Sequence, residues 1–173
     1  ECVAIPSDLS TVAGVSDFAA AIRAAEDKVH ILVNNAGATW GAEIDVFPES
    51  GWDKTMDLNV KSMFFLIQQL LPALRAAGTD EDPARVINIG SVMGTMPQGF
   101  PAYSYAASKA ALHHVTRILA NELADRHIVV NAIAPGFFLT EQLKFLAFDK
   151  DGNLTDRYRR VLANTPMNRF GEQ

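Results

Sequence analysis

Tyr105 and Lys109 stand four residues apart in Tyr105-Ala106-Ala107-Ser108-Lys109, a segment that reads as helix. Positions i and i+4 share a helix face, so the phenol and the ammonium are neighbours. A free tyrosine has a pKa near about 10 and exchanges protons poorly at neutral pH. A cation about 4–5 Å away, at an effective dielectric near 20, favours the phenolate by roughly 3–4 kcal/mol. That is about 2–3 pKa units, enough for acid–base work. Alone, the spacing is common by chance and reads first as a surface helix pair. Ser91 adds weight: it ends the apolar run Arg85–Ile89, where a hydroxyl can hydrogen-bond a carbonyl or alkoxide oxygen. Asn59 interrupts a mostly apolar helical stripe. A buried amide there must be hydrogen-bonded, either as a satisfied core group or as the holder of a water in a proton relay.

The elements that must position these groups alternate along the chain. Cys2–Ile5 reads as a buried strand end, Val15–Asp27 as an Ala-rich helix, and Val29–Val33 as a β-branched strand closed by the turn Asn34-Asn35-Ala36-Gly37. Glu49 to about Leu74 reads as one long helix with Pro72 near its end, because an interior proline costs about 3 kcal/mol. Gly78–Pro83 is a polar loop whose Asp80-Glu81-Asp82 triplet reads as a solvated tip. Arg85–Ile89 and Ile128–Ala134 are further strands, Tyr103–Arg126 is a second long helix, and Asp156–Asn164 is a short one. Strands separated by helices of this length cannot be hairpin partners. They predict βαβ units in an α/β, three-layer, doubly wound parallel sheet of Rossmann-like type. Ligands in such sheets sit beyond the carboxyl ends of the strands, where Asn34–Gly37, Gly90-Ser91 and Pro135-Gly136 fall.

Composition narrows the function classes. With 49% hydrophobic and 20% charged residues the chain is globular rather than disordered, and no apolar stretch is long enough to span a membrane. Fifteen Lys and Arg against 20 Asp and Glu give −5, which argues against a nucleic-acid partner. The single cysteine, Cys2, excludes an internal disulfide framework and a Cys-based zinc site, so a cytoplasmic, reducing setting is expected. No metal site is expected. His113 and His114 are adjacent, point about 100° apart on a helix, and read as surface or interface residues. A serine hydrolase fails on spacing, since Gly90-Ser91-Val92-Met93-Gly94 is not the Gly-x-Ser-x-Gly elbow.

Taken in order, Asn34-Asn35-Ala36-Gly37, Asn59, Ser91, Tyr105-x-x-x-Lys109 and Asn131-Ala132-Ile133-Ala134-Pro135-Gly136 resemble the short-chain dehydrogenase/reductase family over Cys2–Thr140. The stretches Asn35–Ala42, Gln68–Leu74 and Arg85–Ser91 are similar to bacterial 3-oxoacyl-[acyl-carrier-protein] reductases, including the rhamnolipid-associated kind.

The resemblance implies hydride transfer between NAD(P)(H) and a carbonyl or alcohol carbon, with an acyl thioester as the first substrate expectation. Tyr105 would donate or accept the proton, Lys109 would lower its pKa and bond the nicotinamide ribose, Ser91 would orient the carbonyl, and Asn59 would anchor the relay water. For the cofactor the resemblance implies Asp8 and Leu9 at the adenine, Asn35, Ala36 and Gly37 along the adenosine side, and Tyr105 and Lys109 at the ribose. Pro135, Gly136, Phe138 and Thr140 would form the loop over the nicotinamide, with Phe138 where isoleucine is commoner. NADP(H) is expected in preference to NAD(H). Residues 1–173 are expected to be a single, partial NAD(P)-binding domain, with 137–165 covering the substrate and Arg157, Arg159 and Arg160 either meeting an anionic carrier or forming an exposed basic face. The two long helices carry broad apolar or small faces, which either pack against neighbouring elements of the same chain or, as the resemblance implies, build the seam of a homodimer or homotetramer.

One departure stands out. The family's glycine-rich turn Thr-Gly-x-x-x-Gly-x-Gly, which cups the pyrophosphate at a helix N-terminus, has no counterpart here. The expectation is of a chain that is trimmed or incompletely represented, lacking roughly the first fifty and the last fifty residues of a family member and unable alone to hold a dinucleotide tightly. Alternatives are a polyol, sugar or steroid alcohol dehydrogenase of the same family, or a catalytically silent nucleotide-binding protein on this scaffold.

Overall fold

The computed structural model describes residues 2–97 and 99–172. Helix α1 (Val12–Ala25) opens where Thr11 Oγ1 accepts the Gly14 N–H at 3.1 Å, a side-chain cap for one of the helix's orphan donors. Strand β1 (Ile31–Asn34) follows. Helix α2 (Glu49–Met56), a π turn (Asp57–Lys61) and α3 (Ser62–Ala77) then run on as one helical rod. Strand β2 (Ala84–Ile89) leads to α4 (Tyr103–Leu123) and β3 (Ile128–Ile133), and two short helices, α5 (Glu141–Ala147) and α6 (Asp156–Ala163), complete the chain.

The three strands are parallel in the order β1-β2-β3, with Asn34 beside Asn88 and Asn88 beside Ala132. Both crossovers step the same way across the sheet, and right-handed connections then put their helices on one face. The core agrees. Val15 and Ala19 of α1, Leu66, Ile67, Leu70 and Leu74 of α3, and Leu112, Leu119 and Leu123 of α4 close over Leu32, Val86, Ile128 and Val130. Each such fully buried aliphatic side chain contributes about 1.5–3 kcal/mol. On the other face Ile31, Val33 and Ile133 remain more than half exposed. The architecture is the Rossmann-like parallel α/β fold, of which the described residues supply the sheet and one helical layer.

Three local readings need correction. Cys2–Ile5 forms no strand, because no neighbouring strand offers it a ladder. The long helix is not uniform: the Ser62 N–H bonds the Asp57 carbonyl five residues back, which makes the π turn and buries Asn59. Pro72 lies inside α3 rather than near its end, and helix continues to Ala77. In the turn that Pro72 interrupts, the Arg23 guanidinium donates to the Gln69 carbonyl at 2.8 Å. In the polar loop, Asp80 and Asp82 pair with His127 and Arg85, each carboxylate well exposed.

Candidate active site

The carboxyl ends of all three strands open onto a cavity of about 800 Å³. Strand β2 delivers Ser91, α4 delivers Tyr105 and Lys109 from its first two turns, and the β1 turn delivers Asn35 and Gly37. Pro135, Gly136, Phe138 and Thr140 line the opposite side. Asp8, Leu9, Ala36 and Asn59 do not line it. Asp8 is exposed and turns back to accept the N–H and hydroxyl of Ser10, which hold its carboxyl below the ordinary range; Leu9 packs against the core.

Lys109 is 5% exposed, and its ammonium donates to the Ile89 carbonyl at 2.7 Å and lies 5.7 Å from the Tyr105 ring centroid. The stacking of i and i+4 on one helix face is therefore met. Burial lowers the pKa of Lys109 because the charged form gives up water. Ser91 is nearly buried; its Oγ accepts the Met93 N–H at 3.1 Å, which leaves the hydroxyl proton free to donate into the cavity.

Asn59 is engaged within the protein through both ends of its amide. Its Oδ1 accepts the Ala38 N–H (2.8 Å), and its Nδ2 donates to the Ala38 carbonyl and to Ser108 Oγ (both 2.9 Å). It ties the β1 turn to α4. A side chain on Gly37 would put a Cβ 3.2 Å from that Oδ1 and 3.7 Å from Lys109 Nζ, so glycine keeps this backbone close to both groups. Beneath the site Asn34 donates to Asn88 and Asn88 to Thr116, a buried polar chain joining β1, β2 and α4. Among the described residues no buried side-chain polar atom is left without a partner.

The far wall is aromatic. Tyr158 is buried, its ring edge-on to Phe137 at 6.1 Å and beside Phe100 and Phe170. Burial raises its pKa, with Arg157 pulling the other way. The exposed Arg157 guanidinium lies 3.7 Å from the Phe100 ring centroid, while Arg159 pairs with Asp156. Thr140 Oγ1 caps α5 by accepting the Leu143 N–H. Lys54, 5.5 Å from the Trp40 ring centroid, also lines the cavity. Its titratable lining is Lys54, Tyr105, Lys109, Arg157 and Tyr158, with no carboxylate, in a chain of net charge −5.

Sequence reasoning passed over Lys54 and Phe100 as lining residues, reached Phe137 and Tyr158 only as part of the 137–165 cover, and misplaced His113. His114 is exposed, but His113 is 8% exposed and its Nε2 accepts the Ser91 N–H at 3.4 Å. The recurrence Tyr105, Lys109, His113 at four-residue intervals was the available signal. The contact also disposes of a serine nucleophile: the histidine meets the main chain of Ser91, not its hydroxyl. Among the described residues no cluster of three or more His, Cys, Asp or Glu could hold a metal, and no helix is long and apolar enough to cross a membrane.

With this geometry in hand, the comparisons are unambiguous at the level of family. The family model described as short chain dehydrogenase matches residues 1–150, and the chain belongs to the short-chain dehydrogenase/reductase family. It is 49% identical over 171 residues to the rhamnolipids biosynthesis 3-oxoacyl-[acyl-carrier-protein] reductase of Pseudomonas aeruginosa, covering 99% of this chain and 65% of that protein. A 2-dehydro-3-deoxy-D-gluconate 5-dehydrogenase of Dickeya dadantii is 36% identical over 169 residues, covering 98% of this chain and 63% of its own length. A solved Pseudomonas aeruginosa RhlG/NADP active-site complex superposes with a TM-score of 0.88 at 48% identity, over 99% of this chain and 65% of that one. The chain thus spans just under two thirds of these relatives.

Proposed function

We propose that the protein is an NADP(H)-dependent oxidoreductase that reduces the keto group of a 3-oxoacyl thioester. The observation that carries this reading is the convergence of Ser91, Tyr105 and a buried Lys109 on one cavity at the carboxyl edge of the sheet. In the reduction, Ser91 donates its free hydroxyl proton to the substrate oxygen and Tyr105 protonates that oxygen as charge develops on it. Lys109 stands behind Tyr105 and would hold the ribose of a bound cofactor. Asn59 holds the turn that fixes Gly37; its amide being engaged, any relay water would rest on its main chain. A bound nicotinamide cofactor supplies the hydride to the carbonyl carbon, so ketone and reduced cofactor become alcohol and oxidised cofactor.

The residues present suit the nicotinamide end of such a cofactor. Gly37 keeps its backbone near Lys109, a Cβ at Gly136 would have open space within 4 Å, and Pro135, Phe138 and Thr140 frame the same mouth. Asp8, Leu9, Asn35 and Ala36 remain the proposed adenosine side. Support for NADP(H) comes from the cofactor named for the RhlG complex, and support for the thioester from the activity named for the 49% identical relative. The sugar-acid activity named for the Dickeya relative supports a second substrate reading, and the carboxylate-free lining suits a sugar-acid carboxylate as well as an anionic carrier on the thioester. Residues 137–165 are proposed as the substrate cover, the exposed faces of α2–α3 and α4 as the seam of a homodimer or homotetramer, and the cytoplasm as the setting.

The test is NADPH oxidation by the full-length protein offered acetoacetyl thioesters and 2-keto-3-deoxy sugar acids. Thioester turnover should exceed sugar-acid turnover, and Tyr105→Phe should lower it by about 10³-fold with cofactor affinity within about threefold. Near-normal turnover of that variant would remove Tyr105 from the mechanism.

A further inference from the structure

His113 is the third residue on the face that carries Tyr105 and Lys109, yet it does not line the cavity. It lies under the turn that presents Ser91. The end of β2 passes directly over the imidazole: a Cβ at Gly90 would fall 1.9 Å from His113 Nε2, so only glycine admits this approach. Nε2 then accepts the Ser91 N–H at 3.4 Å, a long, weak hydrogen bond just beyond the usual range. An accepting Nε2 requires the ring proton on Nδ1. Ser91 is consequently held from two sides, its N–H by His113 and its Oγ by the Met93 N–H.

We propose that His113 is a positioning residue: in its neutral, Nδ1–H form it anchors the Ser91 turn and so aims the Ser91 hydroxyl, and on protonation it releases that turn. The inference rests on the reading of Ser91 as the carbonyl-orienting group. A protonated Nε2 would face the Ser91 N–H donor to donor, with a new charge one turn from Lys109. The groups around it all favour the neutral ring. Burial does so first, then Arg117 and Lys109 on α4, and together they lower its pKa from the ordinary histidine value. Strands β2 and β3 and the turn Val92–Gly94 present no titratable side chain beyond the Arg85 at the far end of β2, and the carboxylates of α2 and the π turn, Glu49, Asp53 and Asp57, are not among the groups that act on it. No carboxylate waits to stabilise an imidazolium.

In the reduction direction Tyr105 acts as proton donor, so acid does not withdraw it, and loss of rate on acidification isolates His113. The experiment is the pH profile of kcat/KM for thioester reduction by the full-length enzyme, His113→Gln and His113→Leu. The Gln carbonyl can occupy the place of Nε2 as an acceptor that does not titrate. Wild type should lose about tenfold between about pH 7.5 and pH 5, Gln should be flat over that range, and Leu should be slower by about tenfold throughout with NADPH affinity unchanged. A Gln profile that superimposes on wild type, or a Leu variant as fast as wild type, overturns the proposal. Nitrogen NMR of the labelled wild-type imidazole reads the same link without catalysis. An Nδ1–H tautomer titrating below about 6.5 supports it, and an Nε2–H tautomer overturns it. Absence of all reductase turnover alongside the Nδ1–H signature would fault the assigned reaction and leave the His113–Ser91 contact standing.

Discussion

On the α4 side of the cavity, polar side chains are buried and bonded to one another; on the side of residues 137–171, aromatic rings pack together and the polar groups point outward. Asn59, Asn88, Ser91, Lys109, His113 and Thr116 are each under a tenth exposed, and each has a partner on another element or in its own helix. Their geometry is set by directional bonds in a low-dielectric setting, where a missing partner is expensive. The far wall is set by Tyr158, Phe100, Phe137 and Phe170, whose stacking tolerates small shifts. One wall fixes its polar groups in direction, as the proposed proton transfer would require; the other is a packed aromatic surface, as the proposed substrate recognition would.

Lys109→Met should break the comparison most sharply, because it separates function from stability. Turnover should fall by about 10²-fold or more, since the cation behind Tyr105 is gone. Stability should hold or rise, because a buried ammonium with one carbonyl partner costs more in lost hydration than that bond returns. The sign follows from linkage. With its pKa lowered in the fold, Lys109 binds its proton more readily in the unfolded chain, so its contribution to stability rises with pH. The melting advantage of Lys109→Met should therefore narrow as pH rises through the lowered pKa towards the ordinary lysine value of about 10.4, as the lysine deprotonates in the fold. A clear loss of melting temperature at pH 7 would show that the lysine is a net structural support.

Asn59→Leu acts in the opposite sense. It removes three hydrogen bonds and leaves the Ala38 N–H and carbonyl without their partner, for a cost of about 3 kcal/mol in chemical denaturation. Asn59→Asp should cost at least as much, because a carboxylate oxygen would stand where the amide now donates, acceptor against the Ala38 carbonyl, at a position 1% exposed. A loss much smaller than that of Asn59→Leu would mean that the accepted Ala38 bond alone holds the turn.

What could be read in advance follows the same division. The strand ends and the pair Tyr105–Lys109 were legible because helix and strand periods fix which residues share a face. The π turn was not: its single extra residue shifts the register of the Glu49–Ala77 rod without changing its apolar content. Burial of His113 escaped because the room for it is made by Gly90, a contact between elements more than twenty residues apart. Helix α5 was also missed, as Phe145 and Leu146 face outward and blur its amphipathic pattern. In the far wall each aromatic residue reads as generic core until chain closure brings Phe100 to Tyr158.

Arg157→Ala probes the outward-facing side and should give the smallest and most selective effect. The guanidinium lies against Phe100, a contact of about 0.5–1 kcal/mol at an exposed site, and its free edge fronts a cavity without carboxylates. For a thioester bearing a phosphate, loss of one exposed cation should raise KM by about tenfold, equivalent to about 1.4 kcal/mol, with kcat nearly unchanged. A neutral 3-oxo ester should change by less than about twofold. Arg157→Lys should recover only part of the difference, because an ammonium keeps the charge but not the planar stack. The salt dependence of the thioester KM should weaken in Arg157→Ala, as expected when a solvent-exposed ion pair is removed. Equal loss on both substrates would assign Arg157 to packing of the aromatic wall, and the distinction between a chemical wall and a recognising wall would then fail at its most exposed residue.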